Sequence, residues 1–391
     1  MKTRLLPILC LMSTLFPVSQ TGAETEAASC VPPGAWIEPA SGEQVSVEAA
    51  MARLSEKAVV LIGESHTSAA DHRWQLYLLA ALHGRRPGMT IGFESFPRSV
   101  QPALDRWVAG GSSTHRFLID SRWAEVWGYD AALYMPLFHF ARMNRLPMIA
   151  LNVERSLVSR VGEEGWSAIP AEERERLTDP APAPSAYVSG LAKVYAQHQE
   201  ETPPTLEDDG FQRFVEAQLT WDRAMAEAIA GAREETPQDL IVGVMGRGHL
   251  EHGYGVPHQL ADLGTTEVAV VLTWTGERPC ADLVGADGMP VADLVFGLDP
   301  EPAEAAPRGP RLGVTLSLNE QGVRIDSVAG GSVAEAGGLK VGDIVTEAAG
   351  RAVRRPGELA AIVRRQAPGT WLPLAVERAG AALLVLAQRL R

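Results

Sequence analysis

The chain has 391 residues, 46% apolar and 21% charged, a composition that excludes disordered, collagen-like and low-complexity proteins. Its formal charge of −13, from 35 Lys and Arg against 48 Asp and Glu, comes with no basic block able to neutralise a run of phosphates, so nucleic acid is not an expected partner. Beyond the N-terminus no run approaches the roughly 18 apolar residues that span a bilayer, and an integral membrane protein is not expected.

At the N-terminus Lys2 and Arg4 precede an apolar run from Leu5 to Val18 and a small polar stretch from Ser19 to Ala23. This pattern predicts a signal peptide over 1–23 and a chain secreted to the periplasm or cell envelope. Its removal takes the net charge from −13 to −15 and discards Cys10. The two remaining cysteines, Cys30 and Cys280, are an even pair in an oxidising compartment, and a disulfide between them is expected. Cys30 departs from a lipoprotein N-terminus: it has no Leu three residues before it and lies twelve residues past the apolar run.

Five short apolar runs, 58–62, 89–93, 147–151, 240–244 and 268–272, read as buried strands. Helical periodicity fills the intervals at 70–83, 100–108, 131–143, 211–230 and 257–263. Alternation of this kind predicts an α/β fold over 30–298, a mostly parallel sheet with helical crossovers. A proline-rich stretch, 163–209, is expected to be a partly helical insertion. Residues 299–310 read DPEPAEAAPRGP, four prolines and no large apolar residue, which predicts a linker to a small second domain over 311–391.

In open α/β sheets ligands bind outside the carboxyl ends of the strands, so the residue after each apolar run carries the information. The first run leads into Gly63-Glu64-Ser65-His66, the second into Glu94, the third into Asn152 and the fourth into Gly246-Arg247-Gly248-His249. Gly63 is expected to allow a tight exit from its strand, and Gly246 and Gly248 a close approach of backbone around His249. Carboxylates and imidazoles converging on one rim suit metal, haem or general-base chemistry. His72, His252 and His258 lie nearby, each with a surface or helix-cap role as the simpler reading. No His-Glu-x-x-His, Cys-x-x-Cys, Gly-x-Ser-x-Gly or phosphate-loop pattern occurs, and without Cys-x-x-Cys-His any haem must be held non-covalently.

These motifs resemble a known family. Gly63 to His66 with His72 and Gln75, Gly92 to Arg98, Asn152 to Arg155, Phe214 to Gln218 with Trp221-Asp222, and Gly246 to Pro257 together are similar to ChaN-type haem-binding uptake proteins. The likeness spans about 45–275. It places the chain in a broader group with Tiki proteases and erythromycin esterases. The resemblance implies a ligand site at Glu64, His66, Glu94 and His249, and haem or iron bound through a Tyr or His. His66, His72, His249, Tyr129 and Tyr254 are the ligand candidates. Many relatives carry paired histidines after the first motif, where this chain has Asp71-His72. The alternative is a metal-dependent hydrolase in which Glu64, His66, Glu94 and His249 hold a divalent ion and a remaining carboxylate activates water.

The tail, with Arg311 to Val314 and Gly330 to Val345, resembles a bacterial α+β PDZ domain. That implies an extended peptide added as a strand, its C-terminal carboxylate held by the loop at Leu312, Gly313 and Val314. Packing or homodimer formation is the other use such a domain can have. PDZ domains of this kind accompany HtrA-type serine proteases, whose nucleophile motif is missing here.

Overall fold

The computed structural model describes residues 30–199, 205–299, 311–319, 322–364 and 372–387. The expected signal peptide and residues 300–310 of the expected linker lie outside the described residues. The chain divides into two units, Met1–Pro300 and Glu301–Arg391. Among the described residues no helix is long and apolar enough to cross a membrane.

The first unit is built on a sheet of β1 (Trp36–Glu38), β2 (Glu43–Val45), β3 (Val59–Glu64), β4 (Met89–Pro97), β5 (Met148–Asn152), β6 (Leu240–Gly246), β7 (Val268–Thr275) and β8 (Leu294–Leu298). Their order is β2-β1-β8-β7-β3-β6-β4-β5. From β8 to β5 every pairing is parallel, and only the β1–β2 hairpin and the β1–β8 contact are antiparallel. The fold is α/β, as the alternating pattern predicts. β3 to β7 are the five apolar runs; β1 and β2 are too short to show a period, and β8, an apolar run as long as β5, is a sixth strand of the parallel ladder beyond the five expected from the sequence.

Both faces of the sheet are covered, which explains why its strands read as continuous apolar runs. Val60 and Ile62 of β3 join Leu78 and Leu82 of the helix Ala69–Arg85 and Tyr134 and Phe138 of the helix Ala131–Asn144 on one face. Val59 and Leu61 point the other way, onto Met225 and Ile229 of the helix Asp209–Glu235 and Leu260 of the helix Val256–Asp262. Each such fully buried side chain contributes about 1.5–3 kcal/mol by leaving water. Three of these helices start at side-chain caps: Ser68 accepts the Asp71 N–H, Asp130 the Ala132 N–H, and Asp208 the Phe211 N–H.

Gly63 does not serve as a strand exit. It lies within β3, where an added Cβ would come 2.2 Å from Leu272 Cδ2 and 3.2 Å from Arg247 Cα, so its role is to let the turn after β6 press against β3. The proline-rich stretch contains the helix Ser185–Gln199, and Tyr187 and Leu191 of that helix pack on Phe211 and Leu219 of the long helix. Cys30 and Cys280 are joined as a disulfide with a Cα–Cα distance of 5.8 Å.

The second unit is an antiparallel sheet of β9 (Val314–Asn319), β10 (Gly322–Val328), β11 (Ile344–Ala348), β12 (Arg351–Ala352), β13 (Leu372–Arg378) and β14 (Ala381–Ala387). The order is β14-β13-β11-β10-β9, with β12 on β11. Leu312, Val323, Ile325, Val345, Leu359, Val363 and Leu374 form its core, to which the helix Pro356–Arg364 contributes.

Candidate functional site

Parallel pairing brings the carboxyl ends of β3, β6, β4 and β5 side by side. Glu64 ends β3, Asn152 ends β5, and Gly246 ends β6 just before the turn Arg247–His249. Glu94 lies inside β4 and not after it: the register against β5 shifts between Phe93 and Pro97, and this irregularity carries the Glu94 segment past the regular ladder. Asn152 Nδ2 donates to the Glu94 carbonyl at 3.2 Å and pins the two strand ends together.

The polar side chains form two networks. In the first, Glu64 is buried and its carboxylate is saturated. Its Oε1 accepts from the Tyr134 hydroxyl at 2.5 Å and faces His66 Nδ1 at 3.0 Å, while Oε2 accepts from Gln75 Nε2 at 2.8 Å. Burial, then the Glu64 carboxylate, hold the Tyr134 hydroxyl protonated well above the usual range. Burial pulls the His66 pKa down, but the hydrogen bond to Glu64 and the charge of Glu94 outweigh it and raise the net value.

In the second network Glu94 Oε2 accepts the Gly246 N–H, and Oε1 lies 3.5 Å from His249 Nε2. His249 Nδ1 is 2.7 Å from Asp222 Oδ1, and Asp222 Oδ2 accepts from the Tyr187 hydroxyl at 2.8 Å. Burial disfavours the imidazolium, yet the flanking carboxylates of Asp222 and Glu94 prevail and push the His249 pKa up to about 10. Burial acts on Glu94 in the opposite sense, and His249, His66 and the Gly246 N–H hold its carboxyl below the ordinary range. Gly246 makes the junction possible, since a Cβ there would lie 2.8 Å from His66 Cε1 and 3.5 Å from Glu94 Oε2.

Both networks border an open cavity of about 870 Å³. Trp127, Tyr129 and Trp221 supply aromatic walls, His66, Glu94 and His249 the polar side, and Arg122 and Arg155 charged groups. The His66 ring packs against Trp127 and Tyr129 at 4.7 and 5.1 Å between centroids. Tyr129 is 38% exposed, and its hydroxyl has no hydrogen-bond partner among the described residues.

The remaining candidates are placed as follows. His72 is not placed as a ligand: it is buried, with Nδ1 on Gln75 Oε1 at 3.1 Å and Nε2 on the His66 carbonyl at 3.2 Å, so both ring nitrogens are used. Tyr254 does not border the cavity. Its hydroxyl donates to Asp287 Oδ2 at 2.5 Å, and burial together with this bond pushes its pKa up to about 12. Glu64, His66, Glu94 and His249 come together as two acid–imidazole pairs, Glu64–His66 hydrogen-bonded and Glu94–His249 3.5 Å apart, and among the described residues no group of three or more His, Cys, Asp or Glu is arranged to hold a metal ion.

Four partners in these networks were given no role by sequence reasoning: Tyr134, Gln75, Asp222 and Tyr187. Asp222 left a readable trace, an acid inside the apolar stripe of a helix whose neighbours Ala217, Leu219 and Met225 are buried. His252 and His258 bond the carbonyls of Met289 and Pro182 at 3.0 and 2.9 Å, the surface roles anticipated for them.

A parallel sheet with helices on both faces and an acid–imidazole rim defines the class, an α/β domain, joined in sequence to a small antiparallel β unit. The family model described as "Haem-binding uptake, Tiki superfamily, ChaN" matches residues 50–260, more than half of the chain, and the chain belongs to that family. A PDZ domain model matches residues 310–386. Among solved structures the chain is similar to one titled "Cofacial heme binding to ChaN of Campylobacter jejuni", with a TM-score of 0.53 and 17% identity over 67% of this chain and 95% of that one. It also matches an HtrA3 PDZ domain bound to a phage-derived ligand, FGRWV, at 25% identity over 20% of this chain and 83% of the other, TM-score 0.19. An erythromycin esterase, EreC, in its open conformation matches at 12% identity over 61% of this chain and 77% of that one, TM-score 0.38. No curated protein matches.

Proposed function

We propose that this chain is a secreted or periplasmic protein that binds haem non-covalently in the β3–β6–β4–β5 cavity and docks a partner's C-terminal peptide through its PDZ unit. One observation carries the haem reading: His66 borders an aromatic-walled cavity with Nδ1 committed to Glu64, while Nε2 has no hydrogen bond among the described residues. A histidine ligand characteristically gives its second ring nitrogen to a carboxylate, which fixes the ring and raises its basicity. The residues therefore fit haem, with His66 as the nitrogen ligand and Tyr129 as a nearby oxygen. Trp127, Tyr129 and Trp221 would cover the apolar macrocycle and Arg122 and Arg155 its carboxylates. Cofacial heme binding in the Campylobacter jejuni relative supports the same use of the fold. His249, an imidazolium between two carboxylates, is a proton holder and not an iron ligand. Hemin titration of the whole chain tests the reading.

A second reading, hydrolysis, is favoured by the Asp222–His249–Glu94 chain. An imidazolium at the cavity floor can donate a proton, and Glu94, held ionised, can accept one. Ester hydrolysis by the whole chain that disappears in Glu94→Gln would support it.

A further inference from the structure

The groove of the second unit lies between β9 and the helix Pro356–Arg364. Leu312, Val314, Leu316, Leu359 and Val363 give it an apolar lining in a trough of about 510 Å³. β9 is an edge strand, paired only with β10 among the described residues, so its outer side is open to an added strand. The turn into it needs glycine, because Gly313 has φ +78° and a Cβ there would lie 2.4 Å from Ser332 Cβ.

An apolar trough with one carboxylate-holding turn needs at most one cation. This groove has two, Arg311 and Arg364, both exposed and neither in an ion pair among the described residues. By contrast Arg324, Arg355 and Arg378 are paired with Asp326, Glu358 and Asp343. The surplus extends to the whole unit. Residues 311–391 hold 11 Lys and Arg against 7 Asp and Glu, whereas 1–310 hold 24 against 41. The second unit thus carries a net positive charge on an acidic chain, two of its cations line the groove, and complementary charge chooses partners and speeds encounter.

We infer that the groove selects peptides with an apolar C-terminal residue and an acidic side chain within the last few positions, Arg311 and Arg364 being the residues that read the acid. This rests on the reading that the PDZ unit takes a peptide terminus. The turn at Leu312, Gly313 and Val314 takes the terminal carboxylate, which leaves both guanidiniums to the acidic side chain, while a basic side chain in that place is repelled.

The test is fluorescence anisotropy with the whole chain and labelled peptides ending Glu-Ala-Val, Gln-Ala-Val and Lys-Ala-Val, plus the first with an amidated end. The Glu peptide is expected to bind about tenfold tighter than the Gln peptide at low ionic strength, with the Lys peptide weakest and the preference shrinking as salt screens it. In Arg364→Gln and Arg311→Gln the Glu-over-Gln preference should fall to about twofold or less. Equal affinity for the Glu and Gln peptides, with amidation abolishing both, overturns the inference and leaves the peptide-terminus reading intact. If no peptide binds, or amidation changes nothing, the terminus reading fails and takes the inference with it.

Discussion

Asp222 Oδ1 lies 2.7 Å from His249 Nδ1, tying the long helix Asp209–Glu235 to the turn that follows β6. Asp222 is fully buried and its other oxygen is held by Tyr187, so the carboxylate is both placed and desolvated before any ligand arrives. Asp222→Asn keeps the shape and removes the charge. The His249 pKa, about 10, should fall toward the ordinary imidazole value of 6.5, as read from its ring resonances by NMR. A value unmoved by the substitution would mean that Glu94 alone holds the proton. Stability should drop by about 3 kcal/mol, the cost of leaving one partner of a buried pair without the other.

The same pair sets a pH window. The folded pKa of His249 is raised, so its stabilising contribution is complete below about pH 6.5 and is lost as pH rises through about 10. The carboxyl of Glu94 is depressed, so its contribution is present above about pH 4.5 and is lost as pH falls through its folded value. Urea midpoints of the native chain and of His249→Asn should therefore converge as pH rises from about 6.5 to 10. A difference constant over that interval would contradict the assignment.

Gly246→Ala probes the junction of the two networks. The new Cβ would meet His66 Cε1 at 2.8 Å, and the ring is the part able to move. Hemin affinity should fall about tenfold while the thermal midpoint changes little. Native hemin affinity in a folded Gly246→Ala would show that the His66 position is not critical.

Cys30 and Cys280 close a loop across 250 positions of sequence. Replacing Cys280 with Ser should cost about 2–5 kcal/mol of stability. Thermal melts with and without reductant check this, and identical midpoints after full reduction would contradict it.

The sheet was legible because β3 to β7 are buried on both faces and read as unbroken apolar runs; β1 and β2 span three residues each, too few to show a period. Glu64, His66, Glu94 and His249 could be picked out because parallel strands deliver their carboxyl ends to one edge. Hydrogen bonding decided what those groups do, and that depends on residues distant in sequence. Tyr134 reaches Glu64 from 70 positions away, and Tyr187 reaches Asp222 from 35. For the same reason His72, six residues from His66, resembles a ligand in sequence yet spends both ring nitrogens on the fold.

The most direct measurement is a hemin titration of the whole chain followed by Soret absorbance, with His66→Ala, Tyr129→Phe and Tyr254→Phe alongside. The account predicts saturable binding that is lost or spectrally shifted in His66→Ala, altered in Tyr129→Phe and unchanged in Tyr254→Phe, whose hydroxyl is committed to Asp287. Absence of a saturable Soret shift, or titrations identical in native chain and His66→Ala, would contradict it.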